Sequence, residues 1–346
     1  MSHKLALIGF GVVGQGLAEI LLKKREELLY KYGFEAQIVA ISDIVKGSLY
    51  DPKGLHIEKL LEVVKKSGKI DDYPDTPTLR RGWDSFQTIC ESNADTVVEV
   101  SFTDVKTGQP AIDHCKWAFE NGKNVVMSNK GPVALAYREL TELARKHQVR
   151  WGFEGSVMSG TPTIRLPLTC LAGNDIREVR GILNGTSNFI LTQMEEGMSY
   201  SDALREAQRL GYAEADPTAD VEGYDALYKI VIMANVVMGV PLRREDVSRQ
   251  GITQLTATDI EQAKAESHRW KLIARAKKVG DKVVASIAPE KVSMNDELAG
   301  IMGAMNAITF ECDLAGPITV VGAGAGKTET GYSILIDLIN ISRGQI

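Results

Sequence analysis

The segment with the most chemically capable side chains runs from Gly211 to Lys229 (GYAEADPTADVEGYDALYK), with five acidic residues between positions 214 and 225. Asp225 and Lys229 are four residues apart, so on a helix they are neighbours. Lys229 is the only charged residue between Ala226 and Leu242. Partial desolvation would lower its pKa and Asp225 would counter that, which makes Lys229 a tunable proton donor. The alternative is a surface ion pair worth a few tenths of a kcal/mol.

A glycine-rich turn lies near the start of the chain, between a short apolar strand and a helical period. It consists of Gly9, Phe10, Gly11, Val12, Val13 and Gly14. The first glycine permits a tight turn, the second a close approach of the backbone to a pyrophosphate, and the third close helix–strand packing. The pattern predicts a dinucleotide site. The alternative is a glycine-rich turn in another α/β fold.

Asp43 ends the next predicted strand, 29 positions after Gly14. An acidic residue at this place usually binds the ribose hydroxyls and favours NAD, although the usual spacing is about 20 residues. Lys46 and Lys53 follow and could hold the 2′-phosphate of NADP instead. Asp43 could also be a plain loop carboxylate, so both NAD and NADP stay open.

Three further segments each have two possible interpretations. Lys130, within 128–132 (SNKGP), follows a predicted strand and could polarise a substrate oxygen, or it is a surface lysine. The segment 184–188 (NGTSN) could bind a carboxylate, or Ser187 or Asn188 could cap the next helix. The segment 322–328 (GAGAGKT) looks like a phosphate loop but has three residues between its outer glycines instead of four, which excludes an ATPase. It is better explained as a glycine-rich turn at a cofactor or a helix start.

The elements around these residues alternate between strand and helix in the first part of the chain. This alternation predicts an α/β fold with an N-terminal Rossmann-type, doubly wound parallel sheet. Residues 44–82 interrupt it, and we expect them to form a surface excursion that covers the cofactor. The predicted strands are 4–9, 36–42, 96–100, 124–127 and 149–154, and the predicted helices are 14–32, 57–66, 108–121 and 135–147.

From about residue 155 the pattern changes to that of a second, α+β domain. Its predicted strands are 178–183 and 283–287, and its predicted helices are 188–195, 199–210, 223–238 and 258–278. We expect residues 1–154 to bind the dinucleotide and residues 155–321 to serve substrate binding, catalysis and dimerisation. The C-terminal helical region, 322–346, with a helix predicted over 327–341, is expected to pack back on the first domain.

Composition excludes several classes of protein. The 346 residues carry a net charge of −5, which gives no general attraction for nucleic acid. The four cysteines are widely spaced and form no CxxC pair, as in a reduced, intracellular protein. No secretory signal is visible, and the most apolar later stretch, 230–240, is too short to span a membrane. We therefore expect a soluble, cytoplasmic protein with a small-molecule substrate.

Taken together, these segments resemble homoserine dehydrogenase over nearly the whole chain. The resemblance rests on 9–14, 128–132, 183–197, 211–229 and 322–338. It implies an NAD- or NADP-dependent oxidoreductase that interconverts L-aspartate 4-semialdehyde and L-homoserine on the route to threonine and methionine. The chain resembles the short form without a C-terminal regulatory domain, so we expect no feedback control through such a domain.

The resemblance also implies roles for single residues. Lys229 and Lys130 would be the two lysines at the reacting oxygen, with Lys229 the proton donor. Glu214 would hold the substrate amino group, and Asp225 would orient Lys229 or contact the substrate. The residues implied to line the substrate site are Gly185, Thr186, Tyr212 and Asp220, and those implied to contact the cofactor, besides the glycine-rich turn and Asp43, are Ser101, Lys130, Gly211 and Gly326.

Members of this family tend to bind a monovalent cation, Na or K, through a glutamate and backbone carbonyls. The matching positions here are Glu154, Val157, Ser159 and Thr161. Met158-Ser159 replaces the usual small, glycine-rich run. Backbone carbonyl ligands do not need a particular side chain, so this replacement is compatible with a cation site. The alternative is a plain loop between domains. The resemblance further implies a homodimer formed through the second domain.

Two other functions stay open on the sequence alone. One is a dehydrogenase of a related amino-acid aldehyde or alcohol, to which only the changes at 158–162 point. The other is a non-catalytic protein that senses the cofactor on the same fold. The presence of both lysines, Glu214 and Asp225 argues against a sensor, because a sensor has no use for a proton donor.

Overall fold

The computed structural model describes residues 2–104, 106–280 and 282–346. The chain divides into two compact units. The N-terminal unit comprises the described residues of Met1–Gly160 together with Gly326–Ile346, and the C-terminal unit comprises those of Thr161–Ala325. Within the described residues, none of the helices combines the length and apolarity needed to cross a membrane.

The N-terminal unit contains a seven-stranded sheet. Its strands are β1 (His3–Ile8), β2 (Ala36–Asp43), β3 (Gly47–Tyr50), β4 (Arg80–Arg81), β5 (Thr96–Glu99), β6 (Asn124–Met127) and β7 (Trp151–Gly152), and their order in the sheet is β4-β3-β2-β1-β5-β6-β7. β1 pairs in parallel with both β2 and β5, and the parallel pairing continues through β6 to β7. The central strands are apolar and buried, as expected for a parallel sheet covered on both faces. The strand order reverses between β1 and β5, which is where such sheets bind their ligands.

The segment 44–82 was expected to be a surface excursion, and this is wrong in part. β3 pairs antiparallel with β2, and β4 pairs antiparallel with β3, so both extend the sheet. The buried Asp51 accepts hydrogen bonds from the hydroxyls of Thr76 and Thr78, at 2.5 and 2.8 Å. This carboxylate therefore ties the end of the segment back to the sheet, which local periodicity does not reveal.

The helices of the N-terminal unit are α1 (Val12–Lys23), α2 (Arg25–Tyr32), α3 (Ile57–Ser67), α4 (Ser85–Cys90), α5 (Ala111–Glu120), α6 (Lys130–Lys146) and, from the end of the chain, α13 (Lys327–Ser342). The predicted single helix 14–32 is two helices, because Lys24 leaves the helical region at φ −108° and ψ 13°. α1 and α13 pack closely: a Cβ at Gly16 would lie 2.3 Å from the Lys327 carbonyl oxygen. Glycine is thus required where these two helices meet.

The C-terminal unit is built on a six-stranded sheet. Its strands are β8 (Ile176–Ile182), β9 (Val247–Arg249), β10 (His268–Val279), β11 (Lys282–Ser293), β12 (Met305–Cys312) and β13 (Gly316–Ala323), and their order in the sheet is β13-β12-β8-β10-β11-β9. Its helices are α7 (Arg165–Cys170), α8 (Gly185–Glu195), α9 (Tyr200–Arg209), α10 (Thr218–Val221), α11 (Tyr224–Val236) and α12 (Ala257–Ala265).

The expectation of one helix over 258–278 is wrong. α12 ends at Ala265, and His268–Val279 is strand β10, which pairs with β11 along its whole length and with β8 on its other side. The alanines, lysines and arginines of this segment favour a helix locally. Pairing with two neighbouring strands outweighs that preference, since strand formation depends mainly on tertiary context.

Candidate active site

Lys229 lies on α11, a helix whose residues Ala226–Ala234 are all buried. Its ammonium donates to Asp225 Oδ2 at 2.7 Å and to the Leu183 carbonyl oxygen, just after β8, at 2.6 Å. The side chain of Lys229 is 7% exposed and that of Asp225 18%. The pair is therefore not a surface ion pair, and the ammonium is held by acceptors from two different elements.

Asn184 joins this pair to a second carboxylate. Its amide donates to Asp220 Oδ1 at 2.7 Å and to Asp225 Oδ2 at 3.0 Å. Its side-chain oxygen accepts from Ser187 N at 2.8 Å and caps α8. The expectation that Ser187 or Asn188 caps this helix is wrong, because the helix begins three residues earlier than predicted. Asn184 belongs to the segment 184–188 that was singled out in the sequence, but its contacts with Asp220 and Asp225 were not predicted.

The pKa of Asp220 lies above its ordinary value. Burial is the main cause and the negative charge of Asp225 adds to it, while the hydrogen bond from Asn184 and the charge of Lys229 act in the opposite direction. With both carboxylates ionised and Lys229 protonated, the cluster carries one net negative charge. Such a cluster favours a cationic group of a ligand.

Thr186 and Tyr212 are connected beside this cluster. The Thr186 hydroxyl donates to the Tyr212 carbonyl oxygen at 2.5 Å, and the Tyr212 ring packs against Phe189 with centroids 5.1 Å apart. A Cβ at Gly185 would lie 2.6 Å from the Ala304 carbonyl oxygen, so glycine is required at the first position of α8. Gly211 has a φ of +78° and open space around it.

Glu214 lies on an exposed segment whose backbone is held by the Gln208 amide, 3.1 Å from the Glu214 carbonyl oxygen. Among the described residues, the hydrogen-bonded cluster of Asn184, Asp220, Asp225 and Lys229 does not include the Glu214 carboxylate. The structure therefore brings most of the predicted substrate residues together, with Glu214 in an accessible position beside them in the sequence.

The glycine-rich turn has the geometry of a cradle for a ligand. Gly9 has a φ of +98°, and a Cβ there would lie 2.6 Å from the Val100 carbonyl oxygen; at Gly14 it would lie 2.8 Å from the Gly9 carbonyl oxygen. A Cβ at Gly11 would meet no atom within 4 Å. Phe10 is fully buried and Val12 and Val13 open α1, whose amides point out of its N-terminus. The open side at Gly11 fits the approach of a pyrophosphate.

Asp43 is not a plain loop carboxylate. Its Oδ2 accepts from Phe10 N at 2.7 Å, and its Oδ1 accepts from Val45 N at 2.9 Å and from Lys46 N at 2.8 Å. Burial raises the pKa of this carboxyl, but the three backbone donors outweigh burial, and its pKa lies below the ordinary value. Asp43 thus fixes the glycine-rich turn to the end of β2.

Lys130 is the first residue of α6, which is kinked at Ala136 (φ −133°, ψ 20°). The helix predicted over 135–147 corresponds to the part after this kink, and the helical turn that begins at Lys130 was not predicted. The residue before it, Asn129, donates to Glu99 Oε1 at 2.7 Å, and the same oxygen accepts from Ser101 N at 2.9 Å and from Ser101 Oγ at 2.6 Å. Glu99 was missed in the sequence analysis. The signal was a carboxylate that closes the apolar strand β5.

The residues predicted to bind a cation lie in both units. Glu154, Val157 and Ser159 are buried in the N-terminal unit, and Ser159 Oγ is 2.8 Å from Thr330 Oγ1. Met158 and Ser159 have φ values of 55° and 54°, which are rare for residues other than glycine. Thr161 belongs to the C-terminal unit, where its hydroxyl donates to the Ala323 carbonyl oxygen at 3.1 Å.

Gly326 lies at the N-cap of α13 with a φ of +141°. A Cβ at this position would lie 2.0 Å from a carboxylate oxygen of Glu329. Lys327, which follows it, forms an ion pair with Glu19 of α1 at 2.6 Å. The glycine-rich segment is thus the start of a helix, one of the two roles expected for it.

Comparison with known proteins indicates the same family for both units. The family model for homoserine dehydrogenase matches residues 162–339, and the model for the homoserine dehydrogenase NAD-binding domain matches 9–154. An NAD(+)-dependent homoserine dehydrogenase of Pseudomonas canavaninivorans is 44% identical over 98% of this chain and 96% of its own length. The homoserine dehydrogenase of Methanocaldococcus jannaschii is 43% identical over 97% and 98%.

Solved structures are also similar. A hyperthermophilic archaeal homoserine dehydrogenase in complex with NADPH has a TM-score of 0.82 and 30% identity, with 99% of this chain and 98% of that chain covered. A homoserine dehydrogenase from Thiobacillus denitrificans has a TM-score of 0.84 and 32% identity, with 99% and 74% covered. The chain belongs to the homoserine dehydrogenase family of NAD(P)-dependent oxidoreductases.

Proposed function

We propose that this protein interconverts L-aspartate 4-semialdehyde and L-homoserine, with NAD(P) as the redox partner, in the synthesis of threonine and methionine. The observation that carries the proposal is the buried ammonium of Lys229, held by Asp225 and the Leu183 carbonyl beside Asp220 and Asn184. Relatives of the same length that are named homoserine dehydrogenase support the choice of substrate.

When bound, the nicotinamide would supply a hydride for reduction of the aldehyde and would accept one in the reverse direction. During reduction, negative charge develops on the aldehyde oxygen, and the Lys229 ammonium stabilises that charge and donates the proton. During oxidation, the neutral Lys229 amine takes the proton from the hydroxyl. Asp225 keeps the ammonium in place and compensates the cost of its burial.

The substrate is a zwitterionic amino acid, so its site needs groups of both signs. Asp220, Asp225 and the exposed Glu214 supply negative charge for the substrate ammonium. The first turn of α8, beginning at Gly185 and Thr186, supplies backbone amides for the substrate carboxylate, since the N-terminus of a helix favours anions. Tyr212 lies beside Thr186 and completes this proposed site.

In the N-terminal unit, we propose that the glycine-rich turn and the N-terminus of α1 hold the pyrophosphate. Asp43 places a negative charge at the end of β2, which favours ribose hydroxyls over a 2′-phosphate and supports a preference for NAD. Ser101 and Lys130 follow β5 and β6 at the same edge of the sheet, and we assign Lys130 as the second lysine at the reacting oxygen. Gly211 and Gly326 are assigned to the nicotinamide side.

A monovalent cation, Na or K, is proposed to bind at Glu154 and the carbonyls that follow it, with Val157, Ser159 and Thr161 as the other ligands. The support is chemical: one buried carboxylate with backbone and hydroxyl oxygens suits a hard ion of low charge, and Met158 and Ser159 give this loop two consecutive residues at positive φ. Comparing turnover in KCl, NaCl and a tetramethylammonium salt at equal ionic strength tests the site.

A homodimer in the cytoplasm is proposed as the working form. β13 is an eight-residue edge strand whose outer side pairs with no other described strand, and such an edge commonly pairs with another chain. The four cysteines are free thiols, which fits a reducing compartment. Light scattering coupled to size-exclusion chromatography determines the oligomeric state.

The first experiment follows nicotinamide absorbance with purified protein and L-homoserine, with NAD and NADP supplied separately. The Lys229→Ala variant should lose turnover by about 10² to 10⁴-fold while it still binds the nucleotide. Lys264→Ala, an exposed lysine of the same unit, is the matched control and should keep wild-type turnover. No turnover by the wild type with either nucleotide, despite tight nucleotide binding, would reject the homoserine assignment.

A further inference from the structure

Glu99 is a fully buried carboxylate at the end of β5 that takes part in four hydrogen bonds. Its Oε1 accepts from the backbone amide and the hydroxyl of Ser101, at 2.9 and 2.6 Å, and from the Asn129 amide at 2.7 Å. Its Oε2 faces His114 Nδ1 of α5 at 2.5 Å. One side chain thus connects three segments of the N-terminal unit.

An apolar residue is usual at such a position in a central strand. Burial of a carboxylate is unfavourable unless its oxygens are hydrogen-bonded, and replacing such groups by apolar ones is often neutral or stabilising. The neighbouring Val97 and Val98 are fully buried, as is usual for a strand in the centre of a sheet. Core stability therefore does not explain Glu99, whereas its geometry does: one oxygen joins the segments that follow two adjacent strands, β5 and β6.

Asn129 gives an independent indication. It is the N-cap residue of α6, a position where asparagine normally accepts a hydrogen bond from the first turn of its own helix. Its side chain makes no such capping bond and donates to Glu99 instead. α6 therefore lacks a side-chain capping bond at its N-terminus, and its N-cap residue is instead bonded to the carboxylate at the end of β5. Lys130 is the next residue and the first of that helix.

We propose that Glu99 is a positioning residue for Lys130. It holds Asn129 and Ser101 on one oxygen, so that Lys130, the first residue of α6, starts from a fixed backbone position relative to Ser101 at the edge where β5 and β6 end. This inference rests on the proposed role of Lys130 at the reacting oxygen. A catalytic group needs such a restraint because a displacement of about 1 Å costs about 10²-fold in rate. His114 restrains the other carboxylate oxygen, so the carboxylate itself cannot rotate freely.

The bonding pattern allows charge and geometry to be separated. In Glu99→Gln, the amide oxygen can accept the same three hydrogen bonds from Ser101 and Asn129, and the amide nitrogen can donate to a neutral His114. We expect kcat within about threefold of wild type. Glu99→Ala removes the shared acceptor, and we expect kcat to fall about ten- to hundredfold, with the KM for L-homoserine within about twofold. Asn129→Ala removes a single bond from a half-buried residue and should lower kcat in the same way but less.

The deciding experiment is a double-mutant cycle between Glu99→Ala and Lys130→Met, measured as kcat with saturating L-homoserine and NAD(P). If Glu99 acts through Lys130, the double variant should be no slower than Lys130→Met alone. If Glu99→Ala does not fold, the cycle is made with Asn129→Ala. Nucleotide titration and circular dichroism of each variant show whether the fold and the cofactor site are retained.

The outcomes separate the inference from the function on which it rests. Additive losses in the cycle, or wild-type kcat in Asn129→Ala, would overturn the positioning role while the role of Lys130 stands. Full activity of Lys130→Met would overturn the role of Lys130 and the positioning role with it. A fall in nucleotide affinity equal to the fall in kcat would also overturn it, since Glu99 would then serve the cofactor turn and not Lys130.

Discussion

The ammonium of Lys229 lies 2.7 Å from Asp225 Oδ2, one turn earlier on the same helix, and the pair is buried beside the Leu183 carbonyl. Removal of one member of such a pair leaves a buried charge without compensation. We therefore expect two properties of the protein to depend on this contact: the stability of the C-terminal unit and, under the proposed function, the supply of a proton to the substrate.

Asp225→Asn should lower the free energy of unfolding by about 3 kcal/mol and reduce kcat by about tenfold or more, because Lys229 loses its counter-charge. The double variant Asp225→Asn/Lys229→Met removes both charges and should be more stable than Asp225→Asn alone. Urea unfolding of the wild type, the two single variants and the double variant checks this. If the loss of unfolding free energy in the double variant equalled the sum of the losses in Asp225→Asn and Lys229→Met, the two residues would not be coupled.

Gly11→Ala tests the cofactor cradle with little disturbance of the protein. A Cβ at Gly11 meets no protein atom within 4 Å, so we expect unchanged thermal stability but a rise in the Kd for NAD(P) of about tenfold or more, because the methyl group takes the place of the pyrophosphate. Gly9→Ala is the contrasting variant. Its Cβ would lie 2.6 Å from the Val100 carbonyl oxygen, and it should destabilise the fold itself. Retained nucleotide affinity in Gly11→Ala would place the pyrophosphate elsewhere.

Asp220→Asn should stabilise the protein at neutral pH while it weakens substrate binding. Because burial raises the pKa of Asp220 in the folded state, folding disfavours its ionised form, and this cost is present in full at pH values above the raised pKa. It disappears as the pH falls toward the ordinary value near 4. Asparagine keeps the acceptor for Asn184 without the charge. We expect a higher free energy of unfolding at pH 7 and a KM for L-homoserine raised about tenfold. A lower stability at pH 7 would contradict this account.

We expect Lys271 to make the free energy of unfolding depend on pH at alkaline pH values. Its side chain is 1% exposed, and its ammonium donates to Asn188 Oδ1 at 3.0 Å and to the Ile301 carbonyl. Burial lowers its pKa to about 8. Below that pH both the folded and the unfolded states carry the proton. Between about 8 and the ordinary value of 10.5 the unfolded state binds more protons than the folded state. The free energy of unfolding therefore rises with pH in this range, by up to about 3 kcal/mol.

The Lys271→Met variant isolates this contribution. Urea unfolding of both proteins between pH 7.5 and 10 should show a free-energy difference that grows with pH in favour of the wild type. Parallel curves for the two proteins would mean that the pKa of Lys271 is not lowered by folding. The variant leaves the Asn188 and Ile301 oxygens without their donor, so the difference at the lowest pH measures that loss separately.

Elements with a strong local signal were predicted well. The strand β6 and the helix α13 were placed within a residue or two, and the Asp225–Lys229 contact followed directly from helical spacing. Predictions failed where neighbours in space decide the conformation. β10 was taken for a helix, β3 and β4 were taken for an excursion, and β12 and β13 were not predicted.

The sequence by itself determined the family, the glycine-rich turn and the lysine–aspartate pair, because each depends on residues close together along the chain, where spacing fixes which side chains meet. Only the tertiary structure decided that Asn184 joins Asp220 and Asp225, 36 and 41 positions away, and that Glu99 holds Asn129, 30 positions away. These contacts depend on which strands are neighbours in a sheet and where each strand ends. No local period of the sequence contains that information, since it is set by the packing of the whole unit.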